Sequence, residues 1–282
     1  MATTSDEVPS VPGVAGAAAG AAGKATAAVA ETTAAVAETT AAAAGEAVES
    51  AARAAHEGAV PTAVALARGR RARVAALAGL VGFGAIFAAV RTHRSEALDL
   101  ALMLRLQRRQ RPWLDRLMEI GSWPGFPPQS RMIPPAVIAS LALLRFRTEA
   151  AFEAAAWGTA LVSTGLKALM KRPRPVAGTD LRVVAAPLGG SSFPSGHVIT
   201  FVGVYGFMAW LAWTLVRDPV LRVATTGGLL GLVAIVGPSR VYQGHHWPTD
   251  VTASYLLGTT YVIVVIEGYR FVKAAERPAG RA

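Results

Sequence analysis

The feature that most constrains this chain is a series of apolar runs, each close to the length that crosses a lipid bilayer. Four are well defined: Val74 to Val90, Val198 to Val216, Val220 to Gly237 and Val251 to Ile266. A fifth covers Ala150 to Met170. The sixth, around Phe126 to Leu144, is the weakest, because its clean part is short and Pro134 and Pro135 interrupt it. A helix needs about 20 such residues to cross the hydrocarbon, where each backbone N–H and C=O must be satisfied within the segment. The pattern predicts an all-α bundle of six transmembrane helices with both termini on one side. Composition agrees: 52% of residues are hydrophobic and 16% charged, against about a quarter charged in soluble domains.

The rest of the chain divides around these runs. Residues 1–66 are a low-complexity stretch of Ala, Thr, Glu, Gly and Val, with AVAETTA at Ala28 to Ala34 repeated at Ala35 to Ala41. Two copies with Ala and Val at the core positions make a weak coiled coil, so a disordered or weakly helical tail is expected, followed by a membrane domain over 67–282. No stretch of the first sixty residues is apolar enough for the core of a secretory signal peptide. Between the first two runs, Ser95 to Ile120 mixes Leu98, Leu102, Leu106, Leu114 and Leu117 with Arg105, Arg108, Arg109, Arg111 and Arg116. This reads either as an amphipathic helix on the membrane surface, broken near Pro112, or as a core helix.

The net charge of +10 would raise nucleic acid as a partner in a soluble protein. Here most basic residues flank apolar runs and suit anionic lipid headgroups, so membrane lipids are expected and nucleic acid is not. The absence of cysteine excludes disulfides, thiolate metal sites and a cysteine nucleophile. Arginines before the first run, between later runs and at the C-terminus favour a cytoplasmic N-terminus. The arginines of the surface segment fall on the opposite face and leave orientation open on charge alone.

Three polar clusters interrupt the apolar pattern. Lys167 to Pro175 ends the fifth run, Ser191 to His197 opens the run at Val198, and Ser239 to Asp250 joins the last two runs. In an up-and-down bundle all three lie on one face, and charged groups at membrane depth mark function. Lys167, Arg174 and Arg240 together can neutralise a phosphoryl group. Ser195 and Gly196 precede a helix, where backbone amides suit an anion and glycine permits close approach. His246 and Asp250, four residues apart, share a helix face, so the carboxylate can fix the imidazole tautomer and leave one nitrogen as a nucleophile. His197 remains to protonate a leaving alkoxide. His245 is the rival nucleophile, offset from the Asp250 face. His197, His245, His246 and Asp250 could also bind zinc, but three adjacent cations would repel a metal ion, so neither metal nor cofactor is expected.

At these residues the sequence resembles the type 2 phosphatidic acid phosphatase superfamily. That signature has Lys, six residues and Arg-Pro (Lys167, Arg174, Pro175), then Pro-Ser-Gly-His (Pro194 to His197), then Ser-Arg, five residues, His, three residues, Asp (Ser239, Arg240, His246, Asp250). The resemblance covers roughly Arg91 to Gly268. It implies that His246 attacks phosphorus with Asp250 in support. It implies further that His197 protonates the leaving group and that Lys167, Arg174, Ser195, Gly196 and Arg240 hold the phosphoryl oxygens. It also implies a multi-pass plasma or inner membrane protein with cytoplasmic termini and an extracytoplasmic site. The substrate is expected to be a lipid phosphate or pyrophosphate, such as undecaprenyl pyrophosphate, phosphatidylglycerol phosphate or phosphatidic acid. A vanadate-dependent haloperoxidase-like enzyme and a non-catalytic lipid-binding or transport protein are the alternatives.

Overall fold

The computed structural model describes residues 69–176, 181–183 and 189–276. These fall in the unit Ala55–Ala282; the unit Met1–Ala54 and the rest of the expected tail lie outside the described residues. Every regular element described is helical: α1 Arg70–Arg91, α2 Glu96–Gln107, α3 Pro112–Ser122, α4 Gln129–Leu143, α5 Arg147–Trp157, α6 Thr159–Met170, α7 Gly196–Leu215, α8 Pro219–Tyr242 and α9 Pro248–Ala275. A 3₁₀ turn, Trp123–Gly125, links α3 to α4. The expected all-α architecture is therefore observed.

Among the described residues, α1, α7, α8 and α9 are long and apolar enough to cross a membrane. The two weaker runs take a different form. The run at Phe126 to Leu144 is the 15-residue α4, which continues through Pro134 and Pro135 instead of breaking there. The run Ala150 to Met170 is divided at Gly158 into α5 and α6. The break is chemically satisfied, since the Tyr261 hydroxyl donates to the Ala155 carbonyl at 2.9 Å and Thr159 Oγ1 donates to the Ala156 carbonyl at 3.0 Å.

At the centre stands α7, apolar all round, with Val198, Phe201, Val204 and Phe207 buried. It packs against α8, α9 and α5. Small residues allow these close approaches, as they do generally in membranes. Thus Gly203 of α7 faces Thr159 and the Ala156 carbonyl so closely that a Cβ would overlap both. In α8, Pro238 removes one ladder hydrogen bond. The Tyr255 hydroxyl fills the gap: it lies 3.3 Å from the Ala234 carbonyl that Pro238 leaves without a donor, and it inserts into the neighbouring pair, donating to the Val233 carbonyl at 2.7 Å and accepting from the Gly237 amide at 3.0 Å. This repair lies one residue before Ser239 and Arg240 and shapes the end of the helix that carries them.

The surface segment forms α2 and α3, with Pro112 at the first position of α3. The face that α2 turns inward is not the leucine face. Asp99, Met103 and Gln107 are buried, while Leu98, Leu102 and Leu106 are exposed on its outer side. Finally, α6 ends on Lys171 in the left-handed conformation, φ 50°, where glycine is usual. The Lys171 amide donates to the Lys167 carbonyl at 3.2 Å, and the turn sends the chain into Arg172 and Arg174.

Substituting Gly203 by Ala is expected to destabilise the bundle by about 1–3 kcal/mol through overpacking. Gly84, which has nothing within 4 Å of an added Cβ, serves as the control and should tolerate Ala without loss. Unfolding of the two variants in the same detergent checks the difference.

Candidate active site

The three clusters meet at one end of the bundle. Residues 189–195 run back alongside the turn after α6: the Ser192 amide donates to the Arg172 carbonyl at 2.9 Å, and the Arg172 amide to Ser191 Oγ at 3.0 Å. This pairing aims the loop's carbonyls at the cations. Lys167 Nζ donates to the Ser191 carbonyl at 2.8 Å. Arg174 Nη1 donates to the His245 carbonyl at 2.8 Å and lies 3.3 Å from His246 Nε2. Arg240 is fully buried, its Nη1 2.9 Å from His245 Nδ1 and its Nη2 donating to Gln243 Oε1 at 2.6 Å.

The environments fix opposite tautomers on the two neighbouring histidines. Burial is the main cause that lowers the His246 pKa to about 4, with Lys167 and Arg174 adding to it and Asp250 opposing. Burial and then Arg240 lower that of His245 to about 3. Both rings are therefore neutral at pH 7. His246 Nδ1 is 2.7 Å from the Ser192 carbonyl, which can only accept, so Nδ1 carries the proton and Nε2 holds the lone pair. His245 Nδ1 faces a guanidinium, which can only donate, so its lone pair is already engaged.

Asp250 is placed differently from the expected direct clamp. Its Oδ2 lies 3.6 Å from His246 Nδ1, beyond a good hydrogen bond, and accepts the Trp247 amide at 2.9 Å. Its Oδ1 accepts from Arg172 Nη1 at 2.6 Å. The Ser192 carbonyl holds the imidazole directly, and Asp250 stands behind it. Ser195 also differs in detail. Its amide is taken up by Ser254 Oγ at 2.8 Å, while its own buried Oγ has no partner among the described residues. Gly196 opens α7, where first-turn amides lack helical acceptors. His197 stands in that same first turn, its Nε2 buried and without a partner among the described residues.

Four positioning residues escaped the sequence reading. Arg172 donates to Asp250 and, at 2.6 Å, to Asp99 Oδ2, so two buried carboxylates sandwich one guanidinium. Asp99 also accepts the Thr249 amide and hydroxyl, each at 2.8 Å. Phe126 lies 4.8 Å beneath the Arg240 guanidinium and places its edge 4.8 Å from the His197 ring. Gly125 is necessary beside it, because a Cβ there would overlap His197. In the sequence, Asp99 is one acidic residue in a segment of leucines and arginines, and Phe126 opens the weakest apolar run.

With this geometry in place, the comparisons with known proteins take on meaning. A family model described as the PAP2 superfamily matches residues 150–273. Among solved structures, the fold is similar to a transmembrane PAP2-type phosphatidylglycerolphosphate phosphatase from Bacillus subtilis. The TM-score is 0.59 and the identity 24%, covering 73% of this chain and 98% of that one. Aquifex aeolicus LpxE also matches, with a TM-score of 0.49 and 21% identity over 60% of this chain and 95% of its own. No curated protein matches. The PAP2 segment holds all three clusters; Asp99 and Phe126 lie before it.

Replacing Asp99 by Asn removes one of two carboxylates from buried Arg172. Breaking such a pair is expected to cost about 3–5 kcal/mol. Unfolding in detergent measures that cost.

Proposed function

We propose that this protein is an integral membrane phosphatase that hydrolyses a lipid phosphate or pyrophosphate through a phosphohistidine on His246. One observation carries the reading: Arg174 Nη1 lies 3.3 Å from His246 Nε2, and Lys167, Arg174 and Arg240, gathered at the same end of the bundle, have among the described residues no carboxylate within ion-pair distance, whereas Arg172 beside them has two. Burying cations without counter-charge is costly. A bound phosphoryl group supplies the charge that this site lacks.

In this reading the three cations, the Gly196 amide and the Ser195 hydroxyl hold the phosphoryl oxygens. His246 Nε2 attacks phosphorus; an N–P bond forms as the bond to the lipid oxygen breaks, and His197 gives that oxygen a proton. Water then attacks the phosphohistidine, passes a proton to His197, and releases inorganic phosphate with His246 restored. Fixed positive charge performs the neutralisation for which many phosphoryl-transfer enzymes use magnesium, so the proposed reaction is metal-independent. The site faces the extracytoplasmic side and the termini the cytoplasm, as the basic residues flanking α1 favour. The substrates proposed are undecaprenyl pyrophosphate, phosphatidylglycerol phosphate and phosphatidic acid. Phosphate release across that panel, with His246→Ala as control, tests the activity. No release from any of the lipids would overturn it.

Acid-quench trapping tests the nucleophile. His246→Ala should abolish both turnover and labelled phosphoenzyme. His197→Ala should lose about 10²–10⁴ in rate and lose less with a nitrophenyl phosphate, whose leaving group needs no proton. His245→Ala should still form phosphohistidine. A label that persists in His246→Ala and vanishes in His245→Ala would reverse the assignment.

The pH profile tests the same nitrogen. Since the His246 pKa is lowered to about 4, protonation disables the nucleophile only in strong acid. The acid limb of kcat/KM, corrected for substrate ionisation, is expected near that value and not at the ordinary histidine value of about 6.5. A limb at the ordinary value would contradict a buried, neutral nucleophile.

A further inference from the structure

We propose that the preferred substrate carries a second phosphate in its leaving group and that Arg131 holds it. The inference rests on the phosphatase reading above and deepens it to a substrate class.

Two separate cavities adjoin the reacting centre. One is an open depression of about 680 Å³ that includes Lys167 and Arg174, on the side of the phosphoryl-binding cations. The other, of about 310 Å³, lies between α4 and α7 and includes His197. They share no lining residue. The group protonated by His197 is the leaving group, so the leaving group occupies the second cavity.

That cavity is graded along its helices. Its lining residues in the first turns of α4 and α7 include Ser130, Arg131 and His197, and the next turns contribute Pro134, Phe201 and Val204. An acyl or prenyl chain accounts for the apolar part. It does not account for Arg131, an exposed cation on the same lining as His197 with no ion pair to a carboxylate among the described residues. The three cations that meet the transferred phosphoryl group line neither wall of this cavity. Arg131 is therefore a surplus charge on the leaving-group side. A guanidinium there fits a phosphate, which it can grip through two parallel hydrogen bonds.

The chemistry gains from such a group. When the P–O bond breaks in a lipid diphosphate, the electron pair goes to an oxygen of the remaining phosphate, and Arg131 stabilises the charge that develops there. In phosphatidylglycerol phosphate the second phosphate lies across a glycerol. Phosphatidic acid offers Arg131 nothing.

The test is kcat/KM of purified wild-type, Arg131→Ala and Arg131→Gln protein in detergent, measured on undecaprenyl pyrophosphate, phosphatidylglycerol phosphate and phosphatidic acid. For at least one of the two doubly phosphorylated lipids, both variants should lose tenfold or more relative to phosphatidic acid, and Arg131→Lys should restore part of the loss. Which lipid loses preference identifies where the second phosphate sits. Equal losses on all three lipids, as from a structural or headgroup-anchoring arginine, overturn the proposal, as does no loss on any. The ratio is internal to each protein. His246→Ala is assayed in parallel, and its retention of activity would overturn the nucleophile assignment without altering the Arg131 ratio.

Discussion

The site depends on how its few negative charges are spent. Arg172 takes both buried carboxylates, Asp99 and Asp250, at 2.6 Å each. That one guanidinium ties α2, the turn after α6 and the start of α9 together, and Thr249 closes the network through Asp99. With the carboxylates consumed, Lys167, Arg174 and Arg240 are left facing neutral partners. The network thus does two jobs at once. It locks the elements that carry the reactive groups, and it keeps the adjoining space cationic. Had Asp250 been free to pair with Arg174, the anion site would have been neutralised from within.

Neutral partners still orient the three cations. The carbonyls of Ser191 and His245 and the oxygen of Gln243 accept from them at 2.6–2.8 Å. A dipole satisfies donors without cancelling their charge, so the cations are positioned before substrate arrives yet retain their field. This is the preorganisation that makes electrostatic stabilisation effective where water is scarce. It also explains why irregular backbone is tolerated at this depth: the loop 189–195 spends its polar groups on the site and on the facing turn.

Much of this was legible in the sequence. Long apolar runs announced α1, α7, α8 and α9, and the spacing of the three clusters announced which residues would meet. The misses have specific causes. The segment of α2 reads as a surface amphipathic helix or a core helix, and neither reading singles out Asp99: in a membrane leucines face outward as readily as inward, and the inward stripe is Asp99, Met103 and Gln107. The Ser192 carbonyl that holds His246 is a backbone group, and no residue code records where a loop aims it. Pro134 and Pro135 read as breakers, a rule from water that weakens where neighbours can absorb the freed carbonyls. Gly158, by contrast, lies inside the run Ala150 to Met170 with nothing in the sequence to set it apart, and marks a break.

The pair His245-His246 shows how two identical side chains side by side acquire different chemistry. Burial keeps both neutral, so each has one lone pair to place, and the partner at Nδ1 decides where. A guanidinium at that nitrogen, 2.9 Å away, makes His245 an acceptor there and turns its proton to Nε2. A carbonyl at the same nitrogen of His246 does the reverse and leaves the lone pair at Nε2, where Arg174 Nη1 makes only a longer contact of 3.3 Å. In the proposed reaction that contact opens as Arg174 turns to a phosphoryl oxygen. His245 then has a function of its own. Together with Gln243 and the ring of Phe126, it holds Arg240 in a place where no carboxylate does. Moving the sequence by one residue would exchange the partners of the two rings, so the register between Arg240 and Asp250 decides which histidine keeps its lone pair at Nε2.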